Sequence, residues 1–155
     1  MEILGKTAVV TGGAIRVGRA IALALARQGA NIAISYRTSS KEARETIKEL
    51  EHEGVKAIAI RADISKAADV KKLIQKVIQA FGSIEILVNN AAIFYKTPFE
   101  KIKESDWDKH VDINLKGTFL CSHQTGLHML KKGVGKIINI ADWAGLRPYK
   151  NYIPY

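Results

Sequence analysis

The chain has 155 residues, with 24 Lys and Arg against 15 Asp and Glu, a formal charge of +9 and a hydrophobic fraction of 47%. That is the composition of one ordinary globular domain, long enough to bury a core. No run reaches the roughly 20 apolar residues of a membrane span, and Met1 to Lys6 lacks the zones of a signal peptide, so a cytoplasmic location is expected.

Thr7-Ala8-Val9-Val10 reads as a strand buried on both faces. A turn follows, Thr11-Gly12-Gly13-Ala14-Ile15-Arg16-Val17-Gly18, and then a helix from Arg19 to Gln28, rich in Ala and Leu. A glycine-rich turn between a buried strand and a helix gathers free backbone N–H groups and the positive end of the helix dipole, which together favour a phosphate. Gly12, Ala14, Ile15, Arg16 and Val17 are therefore candidate cofactor contacts. The spacing departs from G-x-G-x-x-G, and Arg16 stands where a third glycine is common in the related pattern T-G-x-x-x-G-x-G. An arginine there points to an extra anionic group on the ligand.

A second strand is predicted over Asn31 to Tyr36 and a second helix from about Ser40 to Glu53, with Ala43, Ile47 and Leu50 on one face. Many NAD sites place Asp or Glu at the end of the second strand, to hold the ribose 2′-hydroxyl. Here the residues are Tyr36-Arg37-Thr38-Ser39. Arg37 and the Ser39 hydroxyl suit a 2′-phosphate, with Arg16 as a second cation, so NADPH is the expected cofactor.

Val55 to Arg61 gives a third strand, ending near Asp63 and Ile64; Ser65 is placed to cap a third helix. Val70, Leu73, Ile74, Val77, Ile78 and Phe81 fall on one face of that helix, and Gly82 closes it. Ile84 to Val88 is the fourth strand, followed by Asn89-Asn90-Ala91-Ala92. After a loop with Pro98 come a long helix from about Glu104 to Leu130 and a strand from Lys136 to Ile140. Alternating strands and helices imply an α/β fold, a doubly wound parallel sheet with helices on both faces in a single domain. Ligands bind such sheets beyond the strands' carboxyl ends, where Gly12, Arg37, Asp63, Asn89 and Asp142 all lie.

Cys121 sits in an apolar helical stretch and reads as packing rather than as a nucleophile. His52, His110, His123 and His128 form no metal-ligand grouping, so no metal is expected. The basic residues are scattered, often near acids, and aromatics do not alternate with them, which argues against nucleic acid as a partner.

Taken together, Thr11 to Gly18, Asp63, Asn89 to Ala92, Asn114 and the stretch Asp142 to Tyr155 resemble the short-chain dehydrogenase/reductase family along the whole chain. The resemblance implies a Rossmann-type fold, a nicotinamide cofactor, hydride transfer involving a carbonyl, imine or alcohol, and a homo-tetramer or homo-dimer. It implies that Asp63 and Ile64 meet the adenine, that Asn90, Ala91 and Ala92 pack on the adenine ribose with Asn89, and that Asn114 holds a water in a proton relay. Ala92 replaces a customary glycine. Tyr155 matches the catalytic tyrosine, thirteen positions after residue 142. The lysine of Y-x-x-x-K would fall at position 159, past the last residue, so the 155-residue chain is expected to be inactive by itself.

Position 142 carries Asp where the family has Ser. A carboxylate cannot donate to a substrate oxygen; it accepts from an N–H, or acts as an acid where burial raises its pKa. Pteridine reductases share this Asp and an Arg like Arg16, so the chain looks pteridine-reductase-like, with a dihydropterin as small-molecule substrate. Phe94, Trp143 and Tyr149 can stack on such a ring or serve packing equally well. Two alternatives stand beside it: a 3-oxoacyl-acyl-carrier-protein reductase-like carbonyl reductase, and a non-catalytic NADP-binding protein.

Overall fold

The computed structural model describes residues 2–155. Its centre is β1 (Thr7–Val10), whose four side chains are all buried. The other strands are β2 (Asn31–Tyr36), β3 (Ala57–Arg61), β4 (Ile86–Asn89) and β5 (Lys136–Asn139). They form one parallel sheet in the order β3-β2-β1-β4-β5. The chain winds outward from β1 to β3, crosses back, and continues on the other side through β4. Between β1 and β4 the winding reverses, and that reversal opens a crevice at the carboxyl ends.

Alternation along the strands divides the core. Ala8 and Val10 join Ile32, Ile34 and Val88 on one face, under α1 (Arg16–Arg27) and α2 (Ser40–His52). Val9, Ala33 and Leu87 face the other way, onto Val70, Leu73 and Val77 of α3 (Ala67–Phe81) and Cys121. Burial of Cys121 pushes its thiol up to about 12, so it packs and does not react near neutrality. On the edge strand β5, Ile137 and Ile138 remain 40% and 45% exposed.

Several boundaries differ from the sequence reading. α1 opens at Arg16 rather than Arg19, because the turn already curls into helix after Ile15. β3 begins at Ala57, and β4 spans Ile86–Asn89 rather than Ile84 to Val88. Ser65 does not cap α3; Lys66 holds that position, and the Ser65 hydroxyl instead donates to Asp63 Oδ1 at 2.7 Å. The long helix is three pieces: α4 (Glu104–His110), a π-helical segment Val111–Gly117, and α5 (Thr118–Lys132). Wide π turns accompany functional positions in helices, and this one carries Asn114.

The Thr46 hydroxyl of α2 donates to the Ala14 carbonyl at 2.9 Å, tying α2 to the turn after β1. Thr46→Val keeps the shape and strands that carbonyl without its partner. Urea unfolding is expected to show a loss of about 1–2 kcal/mol.

Candidate active site

The crevice is held open by a hydrogen-bonded seam. Thr11 Oγ1 accepts from the backbone N–H groups of Asn90 and Ala91, both at 3.0 Å. In return, Asn90 Nδ2 donates to the carbonyls of Thr11 at 3.0 Å and Gly12 at 3.3 Å. Gly12 sits at φ +63°, and a Cβ on it would meet the Ala91 Cα at 3.0 Å. The turn therefore lies against the β4 end with no room for a side chain.

Past that seam the backbone enters α1. A Cβ on Gly18 would fall 2.3 Å from the Gly12 carbonyl oxygen, so glycine lets the helix close onto the turn. No side chain caps α1 and no acid stands in its first turn. Its opening N–H groups and dipole thus face the crevice unopposed. Arg16 takes φ +50°, a left-handed value that costs a non-glycine residue of order 1–2 kcal/mol. This is the position where the related pattern has glycine, which fits that conformation freely.

A cleft of about 430 Å³ runs from this turn across the sheet ends. Gly12, Ala14, Ile15, Arg16 and Val17 line one wall. Tyr36, Arg37, Thr38 and Ser39 line the β2 end, Asp63 and Ile64 the β3 end, and Asn90, Ala91 and Ala92 the β4 end. The fourteen residues read from sequence as cofactor contacts are thus brought to one cleft. Sequence reasoning missed Ser35, Ala62, Ile93, Tyr95 and Ile113, which also line it. Ser35 alone left a usable polar signal: its hydroxyl, buried beside the turn, accepts the Gly12 N–H at 3.4 Å. Ala62, Ile93 and Ile113 look like any apolar position until the fold places them, and the exposed Tyr95 belongs to no spacing pattern.

Arg16 and Arg37 form no ion pair among the described residues. Asp63 Oδ1 is taken by the Ser65 N–H and hydroxyl, at 3.1 and 2.7 Å. Burial opposes ionisation of Asp63, but the Ser65 hydrogen bonds and the nearby Arg37 and Lys66 outweigh it, so its carboxyl lies below the usual range.

Asn89 does not line the cleft. It is buried, and its Nδ2 donates to Ser122 Oγ and Asn139 Oδ1, both at 2.8 Å, joining β4 to α5 and β5. The Asn114 side chain is likewise engaged: Oδ1 accepts from Ile93 N–H at 2.9 Å and Nδ2 donates to the Ile93 carbonyl at 3.0 Å. In this arrangement the Asn114 side chain pins the loop after β4.

Asp142 and Tyr155 are brought together. The Tyr155 hydroxyl donates to Asp142 Oδ2 at 3.1 Å, while Asp142 Oδ1 accepts the Ala144 N–H at 2.9 Å. Burial, the Asp142 hydrogen bond and the Asp142 charge all push the Tyr155 phenol above its usual value. Phe94 stacks on Tyr152 with ring centroids 4.2 Å apart, and meets Tyr155 edge-on at 4.7 Å. Trp143 lies apart, its Nε1 donating to the Tyr149 hydroxyl at 2.7 Å under the Arg147 guanidinium. Phe94 therefore forms the wall beside the tyrosine, whereas Trp143 braces the segment that carries it.

A parallel sheet wound in both directions, with a glycine turn at the carboxyl end of its central strand, is a Rossmann-type α/β fold. The short-chain dehydrogenase family model matches residues 6–155. The chain belongs to that family, whose members are oxidoreductases using NAD or NADP. It is 39% identical over 142 residues to the 3-oxoacyl-(acyl-carrier-protein) reductase FabG of Staphylococcus epidermidis, covering 92% of this chain and 58% of that protein. A short-chain dehydrogenase from Burkholderia cenocepacia, solved in complex with NADP, superposes with a TM-score of 0.90 at 31% identity, covering 99% of this chain and 62% of that one. NAD+-bound xylitol dehydrogenase gives a TM-score of 0.94 at 27% identity, covering 100% and 60%. The chain spans about three-fifths of the length of these relatives.

The raised phenol has a measurable signature. Asp142→Ala removes both the acceptor and the negative charge, so the Tyr155 titration is expected to move to lower pH, read from the tyrosine 13Cζ shift. Folding holds this proton more tightly, so its contribution to stability is present below the unfolded-state value near 10 and is lost as pH rises through the higher folded value. Above pH 10 the wild-type unfolding free energy should therefore fall more steeply than that of Asp142→Ala.

Proposed function

We propose that the chain forms the cofactor site and part of the catalytic site of an NADPH-dependent reductase acting in the cytoplasm on a carbonyl or a pterin-type C=N bond. One observation carries the cofactor choice: two guanidinium groups, Arg16 and Arg37, line the cleft with no ion pair among the described residues, while no carboxylate stands on the Tyr36–Ser39 loop. The donor set suits a dinucleotide. Uncapped N–H groups at the start of α1 would hold the pyrophosphate, and Arg16, Arg37 and Ser39 a 2′-phosphate. Asp63, Ile64, Ala91 and Ala92 would enclose the adenosine.

When bound, the dinucleotide supplies a hydride. The protein's part is the proton. Tyr155 keeps its hydroxyl protonated well above neutral pH, so it serves as the acid that delivers a proton to the reduced substrate. Asp142 orients that hydroxyl and offers an acceptor to a substrate N–H, which favours a pterin over a plain ketone. Phe94 lies beside the pair and gives a planar ring one apolar wall. A second reading, reduction of a 3-oxoacyl thioester, is favoured by the 39% identity to FabG. For the whole protein a homo-tetramer or homo-dimer is proposed, as the family resemblance implies.

Calorimetric titration tests the cofactor. NADPH is expected to bind at least tenfold more tightly than NADH, and Arg37→Asp to reverse the order; equal affinities would sink the reading. Arg16→Gly should weaken NADPH several-fold yet raise stability by roughly 0.5–1 kcal/mol, since glycine fits the left-handed turn. NADPH oxidation by the whole protein separates the substrates: dihydrobiopterin turnover supports the pterin reading, and acetoacetyl-thioester turnover improved by Asp142→Ser supports the second. NADPH binding without either turnover would leave an NADP-binding protein with no reductase activity.

A further inference from the structure

Beside the main cleft, and sharing its Arg37 edge, lies a second hollow of about 370 Å³ lined by Arg37, Ile93, Tyr95, Lys109 and Ile113. Four of these also line the cleft; Lys109 alone belongs only to the hollow. It stands on α4 one turn before Ile113, so the two share the helix face turned towards the cleft. Arg37 approaches from the opposite bank, at the end of β2. The two cations line one hollow with the apolar Ile93 and Ile113, and neither is ion-paired among the described residues. The acid in the cleft wall is Asp63, whose carboxylate lies within the field of Arg37 while Ser65 bonds its Oδ1.

A hollow lined by apolar side chains and two cations accepts a flat heterocycle carrying an anion at its rim. We propose that Lys109 is a specificity-determining residue, closing with Arg37 over the adenosine end of the dinucleotide and favouring the ligand with a phosphate on that ribose. This rests on the NADPH reading of the cleft. It extends recognition from the turn and the β2 end to a residue on a helix that no glycine or strand-end pattern marks. Because Lys109 is exposed, its charge acts through solvent and its effect is modest and salt-sensitive.

The test is calorimetry of the whole protein with NADPH and with NADH, on wild type, Lys109→Gln and Lys109→Arg. Lys109→Gln is expected to weaken NADPH roughly three- to fivefold while changing NADH by less than twofold, with Lys109→Arg close to wild type. The NADPH loss should shrink between 50 mM and 500 mM salt. Equal weakening of both cofactors, or no change in either, overturns the role of Lys109 while the wild-type preference for NADPH still stands. A wild type with no preference for NADPH overturns the underlying cofactor reading, and this inference with it.

Discussion

The seam between Thr11 and Asn90 is the constraint on which the site depends. Parallel strands at the centre of a sheet end in backbone groups that need partners. Here one hydroxyl accepts two N–H groups from the β4 side and one amide returns two bonds to the β1 side. The exchange closes the polar groups at the reversal of winding, yet holds the two strand ends in different directions. Without it Gly12 would not rest on Ala91, and the uncapped start of α1 would have no fixed relation to the β4 loop.

From that fixed point the polar features fall into two regions of different character. The cleft is built of backbone donors and guanidinium groups, with Asp63 largely occupied by its own loop. Its charge suits a large anion. The region around Tyr155 holds a carboxylate, a phenol and a cluster of aromatic rings. Its electrostatics run the opposite way: a negative neighbour keeps the phenol's proton in place. The cationic groups and the protonated phenol thus occupy separate stretches of one sheet edge.

Arg16 shows what such a site costs. A glycine would adopt its left-handed backbone without strain, and arginine is there at the expense of local stability. The strained residue lines the cleft and forms no ion pair among the described residues, a setting in which folds tolerate strain. The π-helical segment is comparable: it widens the helix where Asn114 reaches across to clamp the loop at Ile93.

Much was legible in the amino-acid sequence because it rests on local rules. Buried β-branched runs, helical periodicity and glycine turns specify the alternation of strands and helices. That alternation specifies a parallel sheet with its ligands at one edge, and Gly12, Arg37 and Asp63 at the strand ends were therefore readable as cleft residues, whereas Asn89 turns away. The missing acid after Tyr36 and the Asp at 142 are likewise plain in one dimension. What tertiary structure alone decided is which partner each polar atom takes. Asn89 and Asn90 are neighbours of the same type, yet one faces α5 and the other the turn after β1, since successive side chains of a strand point to opposite faces. Asn114, Ser65 and Lys109 owe their roles to atoms far away or to the curl of a loop. Spacing along the chain carries no record of those distances; packing sets them.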